Sequence, residues 1–253
     1  MTDTQENKVH NFYKIMGETP RECILRYKTE NPALRALAMT YAGRLDPMAE
    51  GLLLVVSGEA LGQKEKYLNL PKKYRFEILW EFESDTLDIL GLPKSDDISI
   101  FPNVAEVEEK IKNSAGKFEQ SYPAFSSQPV DGKPLIQWAR EGRIGEIKIP
   151  RHEVEIFSAE YLSRRFEKGS DLIQTVQSRI AKVSGDFRQE KILREWKNVL
   201  MLNLDRQYAV DTIDIFVSGG FYVRQFVADL AGSLAAHALT FHILRTAVGE
   251  YKI

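Results

Sequence analysis

A chain of 253 residues, 43% hydrophobic and 28% charged, carries enough apolar material for a sizeable core and has the balance of an ordinary globular protein. Its single cysteine, Cys23, excludes an internal disulfide framework and a thiolate metal cluster and points to a reducing, cytoplasmic setting. No apolar run approaches the roughly 20 residues of a membrane helix, the opening MTDTQENKVH lacks the apolar centre of a secretory signal, and the net charge of −2 does not by itself advertise a nucleic-acid partner.

In chain order, NPALRALAMTYAGRLDP reads as a short helix or loop leading to a turn at Asp46–Pro47. GLLLVVSG is a buried strand or the start of a buried helix, which periodicity alone does not separate. KKYRFEILWEFESD alternates, with Tyr74, Phe76, Ile78, Trp80 and Phe82 on one face, and predicts a half-buried strand. NVAEVEEKIKNSAG predicts an amphipathic helix closed by Gly116. HEVEIFSAEYL alternates again. From about Phe166 to Leu204 the spacing turns helical, with Leu172, Val176 and Ile180, then Ile192, Trp196 and Leu200, separated by Gly185; this predicts a helical hairpin inserted between strands. AVDTIDIFVSGG returns to a strand, Tyr222 to Leu234 to a helix, and LRTAVGEYKI closes with a strand. Strands outnumber helices without regular interleaving, so the expected fold class is α+β, with a mixed, mostly antiparallel sheet flanked by helices.

Asp46 stands alone at the lip of the apolar run, with Arg44 two residues before it. A glycosidase would need a second carboxylate, for which Glu50 and Glu59 are near only in sequence. The four histidines are scattered; His237 and His242, five apart, are poorly spaced for one helix face, so no metal site is expected. There is no G-x-S-x-G elbow and no Walker-type phosphate loop. Charge is uneven: Glu81 to Glu109 holds nine acids and one base, while Ser163 to Arg206 holds ten bases against six acids, so a basic face and an acidic lobe can coexist.

Several separated stretches, in order, carry a resemblance to one family. GRLDPMAEGLLLVVSGEA resembles the G-x-LDP-x-A-x-GLL…GEA signature of the TruB family of pseudouridine synthases. KKYRFEILWEFESDTLDILG is similar to its YR strand followed by DT-x-D, and QSYPAFSSQPVDGKPLIQWAREG to its Q-x-PP-x-YSA-x-K stretch. SGGFYVRQFVADLAGSL is similar to its S-x-GTYIR motif, ILRTAVGEY to its LRR-T motif, and YKIMGETP to its K-x-x-G-x-T. The resemblance covers nearly the whole chain except the hairpin.

That resemblance implies isomerisation of an RNA uridine to its carbon-linked isomer, with no cofactor and no metal, since no atom is gained or lost. It implies that Asp46 is catalytic, that Tyr74 stacks against a flipped-out base, that Arg224 pairs with Asp46, and that Leu244 walls the uracil pocket. It also implies substrate contacts by Asp85 of the DT-x-D motif and by Phe125 and Ser126 of a loop lining the RNA groove. Lys14, Arg75, Lys133, Arg140 and Arg143 are candidate phosphate contacts. The implied substrate is the T-arm of tRNA and the implied state a monomer.

The sequence also departs from the pattern. Arg44 stands where the family has a small residue or threonine, so it could compete with Arg224 for Asp46. Tyr41 replaces the histidine of tRNA-modifying members, Pro129 the lysine of YSA-x-K, and Leu61–Gly62 the T-K after GEA. Positions implied for chemistry are kept while RNA-facing ones change. This leaves room for two rivals: a synthase acting on rRNA or mRNA, and an inactive RNA-binding or folding factor on the same scaffold. With Ile253 directly after the closing strand, the expectation is one catalytic domain over 1–253 without the PUA domain many relatives carry; the basic hairpin either partly replaces it or is a structural insertion.

Overall fold

A computed structural model describes residues 8–94 and 101–253. β1 (Lys8–Lys14) leads to α1 (Pro20–Glu30), whose start is fixed by a reciprocal cap: Thr19 Oγ1 accepts from the Glu22 amide and the Glu22 carboxylate accepts from the Thr19 amide. β2 (Met39–Tyr41) and β3 (Ala49–Ser57) bracket the Asp46 loop, and the short α2 (Lys64–Leu68) leads into β4 (Lys72–Trp80). β5 (Glu83–Ser84) and β6 (Pro93–Lys94) pair around an acidic turn. α3 (Val104–Lys112) follows, then β7 (Gly116–Ser121), the small β8 (Pro129–Val130) and β9 (Lys133–Pro134) hairpin, and α4 (Leu135–Arg140). The long β10 (Arg151–Lys168) is followed by α5 (Gly169–Ile180) and α6 (Gln189–Met201), then β11 (Gln207–Val217), α7 (Val223–Ser233), β12 (Ala238–Val248) and β13 (Tyr251–Lys252).

The main sheet runs β1-β3-β12-β4-β11-β10-β7, with β2 on β3 and β13 on β12. β3 and β12 are parallel and the other named pairs of this sheet are antiparallel. The expected α+β class with a mixed, mostly antiparallel sheet is the observed one. Each face of the sheet carries its own core. On one, Phe76, Ile78, Trp80, Ile213 and Ile215 pack against Phe226, Val227 and Leu230 of α7 and Val107 and Ile111 of α3. On the other, Leu79, Val210, Leu239 and Phe241 pack against Leu172, Val176 and Ile180 of α5 and Ile192, Trp196 and Leu200 of α6. The four-residue spacing of those α5 and α6 side chains makes one stripe per helix. Each stripe is fully buried, and each aliphatic member contributes roughly 1.5–3 kcal/mol by leaving water.

Several boundaries differ from the sequence reading. GLLLVVSG is a strand, and its continuous apolar run follows from burial on both faces. β4 ends at Trp80, because Glu81 has φ 75° and turns the chain, so Phe82 joins the second core rather than continuing the first. The α3 helix ends at Lys112 and Gly116 opens β7 instead of closing the helix. Phe166 remains in β10, so the two helices occupy 169–201, and α1 was not anticipated.

Candidate active site

One glycine and one arginine shape the Asp46 loop. Gly51 has φ 107° and lies so close to β12 that a Cβ would come within 2.4 Å of the Arg245 carbonyl oxygen. Arg245, buried on β12, donates through Nε to Leu52 O at 2.8 Å, through Nη1 to Arg44 O at 3.0 Å and through Nη2 to Gly43 O at 3.3 Å. Its fork therefore fastens the backbone leading to Asp46. The Asp46 carbonyl accepts from the Ala49 amide at 3.0 Å, which turns the chain into β3. Beneath the loop, Lys14 is fully buried and donates to the Ala49 and Ile15 carbonyls. Burial pushes its ammonium down to about 8, with Asp46 and Glu18 pulling the other way. Lys14 thus braces the loop from inside, and the expectation of a phosphate contact there is corrected: an ammonium with no exposed surface does not reach RNA.

The loop faces a cavity of about 490 Å³ walled by Asp46, Tyr74, Thr86, Phe125, Tyr222 and Arg224, among others. Arg224 sits in the first turn of α7 and is 4% exposed, whereas the Asp46 side chain is 38% exposed. Arg224 Nε donates to Asp46 Oδ2 at 2.8 Å, Nη1 to Thr86 O at 2.6 Å and Nη2 to Phe125 O at 3.3 Å. Asp46 Oδ1 takes no hydrogen bond from the described residues, and the side chain lines the cavity. A second carboxylate, Asp88, has Oδ2 3.9 Å from Arg224 Nε, and its Oδ1 accepts from Thr86 Oγ1 at 2.7 Å and the Leu90 amide at 2.9 Å. Burial pushes Asp88 up to about 6, against the pull of Arg224 and the Thr86 hydroxyl. For Arg224 burial works downward, but Asp46 and Asp88 outweigh it and hold the guanidinium above its ordinary value.

The anticipated residues divide in two. Asp46, Tyr74, Arg224, Phe125, Ser126 and Arg44 all line the cavity. Arg44 is exposed there and makes no ion pair with Asp46, so the competition with Arg224 does not occur. Ser126 is buried with a hydroxyl that has no hydrogen-bond partner. Three residues lie elsewhere. Leu244 pairs with Arg75, on the side of β12 opposite Ile243 and Arg245, because a bulge between Thr240 and His242 sets the phase of the strand. Ile243 is the apolar β12 side chain in the cavity wall. Tyr41 pairs with Val55 in the β2–β3 ladder, with Lys64 Nζ 5.6 Å from its ring centroid. Asp85 accepts from the Leu92 amide at 2.8 Å and pairs with Arg188, so its oxygens are taken up within the protein.

Sequence reasoning missed Arg245, Lys72, Tyr222 and Arg188. Lys72 lines the cavity, donates to Leu68 O and is pushed down to about 8 by burial and then by Arg245. Tyr222 is pushed up to about 12, by burial first and Asp46 second, and its backbone is held by two bonds to Gln120. A charged residue at a core-facing strand position, as at 72 and 245, was the available signal. Among the described residues no group of three or more His, Cys, Asp or Glu side chains is arranged to hold a metal ion.

Solved structures share this architecture. The fold aligns with a chain of a Cbf5–Nop10–Gar1 complex at TM-score 0.58 and 16% identity, over 98% of this chain and 50% of that one. It aligns with one in an H/ACA RNP bound to a substrate RNA at 0.54 and 15%, over 96% and 48%. At that identity the likeness defines the fold. The sequence defines the family: the model of the TruB family pseudouridylate synthase N-terminal domain matches residues 32–185, and the chain belongs to that family. The tRNA pseudouridine synthase B of Borreliella burgdorferi is 28% identical over 215 residues, 84% of this chain and 60% of the relative. That of Bordetella avium is 27% identical over 242 residues, 95% of this chain and 80% of the relative. The chain spans about 60% of the length of the Borreliella relative.

Proposed function

We propose that the protein is an RNA pseudouridine synthase that isomerises one extruded uridine, with the T-arm of tRNA as substrate, and that it works as a monomeric catalytic unit. The observation that carries the reading is Asp46: a carboxylate gripped on one oxygen by buried Arg224, free on the other, in a cavity that also presents the Tyr74 ring. Family membership supports the reaction, and relatives named tRNA pseudouridine synthase B support the tRNA substrate.

The chemistry balances within the nucleotide. The N1–C1′ bond breaks, the base turns over, a C5–C1′ bond forms, the hydrogen on C5 leaves and N1 ends protonated. No electrons are exchanged with a cofactor. Asp46 serves the reaction only as an anion, either bonding C1′ of the ribose or taking a proton from the neighbouring carbon. Arg224 holds that anion in place with one bond while its two Nη groups are spent on the Thr86 and Phe125 carbonyls, so it cannot swing with the substrate. Tyr74 supplies an aromatic plate for the extruded base; stacking of this kind is worth ~1–3 kcal/mol per base and offsets part of the few kcal/mol that unstacking costs. The unpartnered Ser126 hydroxyl offers a hydrogen bond to the base edge or ribose.

The test is to incubate the protein with an unmodified tRNA transcript and map pseudouridine chemically. A single modified T-loop uridine is expected. A product in rRNA or mRNA but not tRNA would redirect the substrate assignment, and no product in total RNA would leave the scaffold as an RNA-binding factor.

A further inference from the structure

The α5–α6 pair reaches the cavity through its turn, residues 181–188, which contributes Phe187 and Arg188 to the wall. That turn is fastened on both sides of the Asp46–Arg224 pair. On the Asp46 side, the Lys182 carbonyl approaches Gly17 so closely that a Cβ there would lie 2.4 Å from the oxygen. Gly17, at φ 97°, in turn donates its amide to Pro47 O at 2.8 Å, one residue from Asp46. Ser184 Oγ bonds the Glu22 carboxylate at the start of α1, and Arg140 of α4 donates to Asp186 O at 3.2 Å.

On the Arg224 side the contact is Arg188. Its φ of 64° is a conformation a non-glycine residue adopts only when the surroundings hold it there. Nη1 donates to Asp85 Oδ2 at 2.7 Å, Nη2 to Oδ1 at 3.3 Å, and the guanidinium lies 5.0 Å from the Phe125 ring centroid. Asp85 immediately precedes Thr86. Arg188 therefore grips side chains in the same two segments whose backbone carbonyls, Thr86 O and Phe125 O, receive Arg224. α6 adds a further tie, from Trp196 Nε1 to Ile89 O at 3.1 Å. Arg188 spends a donor of each Nη on Asp85 and one face on Phe125, so the contacts it makes are inside the protein.

We propose that the α5–α6 pair is a brace for the catalytic ion pair, and that Arg188 is a positioning residue for the isomerisation. The rate effect rests on the synthase reading; the bracing itself does not. Arg188→Ala, Arg188→Lys and, as a control on the exposed face of α6, Arg194→Ala are compared with the unaltered protein by steady-state kinetics on a tRNA transcript and by amide hydrogen exchange. Arg188→Ala is expected to lower kcat about 10- to 100-fold with KM changed by less than about threefold. It should also raise exchange in peptides spanning 84–92 and 122–127 while the rest of the chain keeps its protection. Arg188→Lys, which keeps the cation but not the fork, should fall between, and it decides the matter if the alanine variant does not fold. Arg194→Ala should leave both readouts alone. A raised KM with unchanged kcat would make Arg188 an RNA contact and overturn the proposal, as would unchanged kinetics with unchanged exchange. If the unaltered protein forms no pseudouridine, the synthase reading fails and exchange alone decides: a rise confined to those two segments supports the brace, and no rise overturns it.

Discussion

Two buried arginines, Arg164 and Arg224, each hold an aspartate, and the two pairs are built differently. Arg164 and Asp211, on β10 and β11, are 7% and 0% exposed and joined by two parallel bonds of 2.7 Å. Asp211 also accepts from Trp80 Nε1 at 2.7 Å and Tyr161 Oη at 3.2 Å, and Arg164 donates to Pro102 O. Every strong acceptor site on that carboxylate is occupied. Arg224 is as deeply buried, but it holds by a single bond an Asp46 whose side chain is 38% exposed and lines the cavity. A closed pair cross-links the sheet, whereas an open one holds an anion ready for a partner that arrives from outside. Burial of the arginine does not separate the two; the exposure of the carboxylate and its count of filled acceptor sites do.

The sharpest break in this comparison is removal of charge at the open pair. Asp46→Asn should cut pseudouridine formation by about 10²–10⁴-fold with little change in unfolding temperature and retained RNA binding; substantial turnover would remove Asp46 from the chemistry. The mirror experiment is Asp211→Asn, which strands a buried guanidinium. It should cost about 3–5 kcal/mol of unfolding free energy while the folded fraction keeps its specific activity, and a loss of activity without loss of stability would reverse the two assignments.

Asp88 sharpens the picture through pH. Burial lifts its carboxyl to about 6 in the folded chain, above the roughly 3.9 of an unfolded aspartate. The folded state binds this proton more tightly, so the group's contribution to stability is full below about 4 and is lost as pH rises through about 6. Its catalytic effect has the opposite sense, because only the ionised form attracts Arg224. The rate should fall as pH drops through about 6, and the inflection should vanish in Asp88→Asn, which should be several-fold slower at pH 7.5. The smallest effect belongs to an exposed pair: Arg75–Asp214, at 2.7 Å but 52% and 38% exposed. Arg75→Ala should change stability by about 0–1 kcal/mol in a urea titration.

Much of the architecture was legible because local pattern and burial agree. The alternation from Tyr74 to Trp80 and the four-residue stripes of α5 and α6 are direct projections of where water is excluded. Other features resisted for identifiable reasons. α1 carries few buried side chains, so its periodicity is weak, although Thr19-Pro20-Arg21-Glu22 spelled its capping box. Leu244 was placed in the cavity by motif, but a one-residue bulge hands that face to Ile243 and Arg245. Within the site, Asp46, Tyr74 and Arg224 were reachable through resemblance. Arg188 was not, since its meaning depends on Asp85, 103 positions earlier, and on a turn whose position only tertiary packing sets.

The parallel pairing of β3 with β12 has a consequence for assembly during synthesis. Residues 49–51 meet residues 243–245, so one edge of β3 waits for a strand made long after it, as the separation of 193 positions between Leu52 and Arg245 shows. Until then Arg245 is not there to fasten Gly43 and Arg44, and the loop bearing Asp46 has no fixed shape. Long-range closure of this kind is slow relative to local helix formation, so chains that stop short of residue 245 should be catalytically inert rather than weakly active.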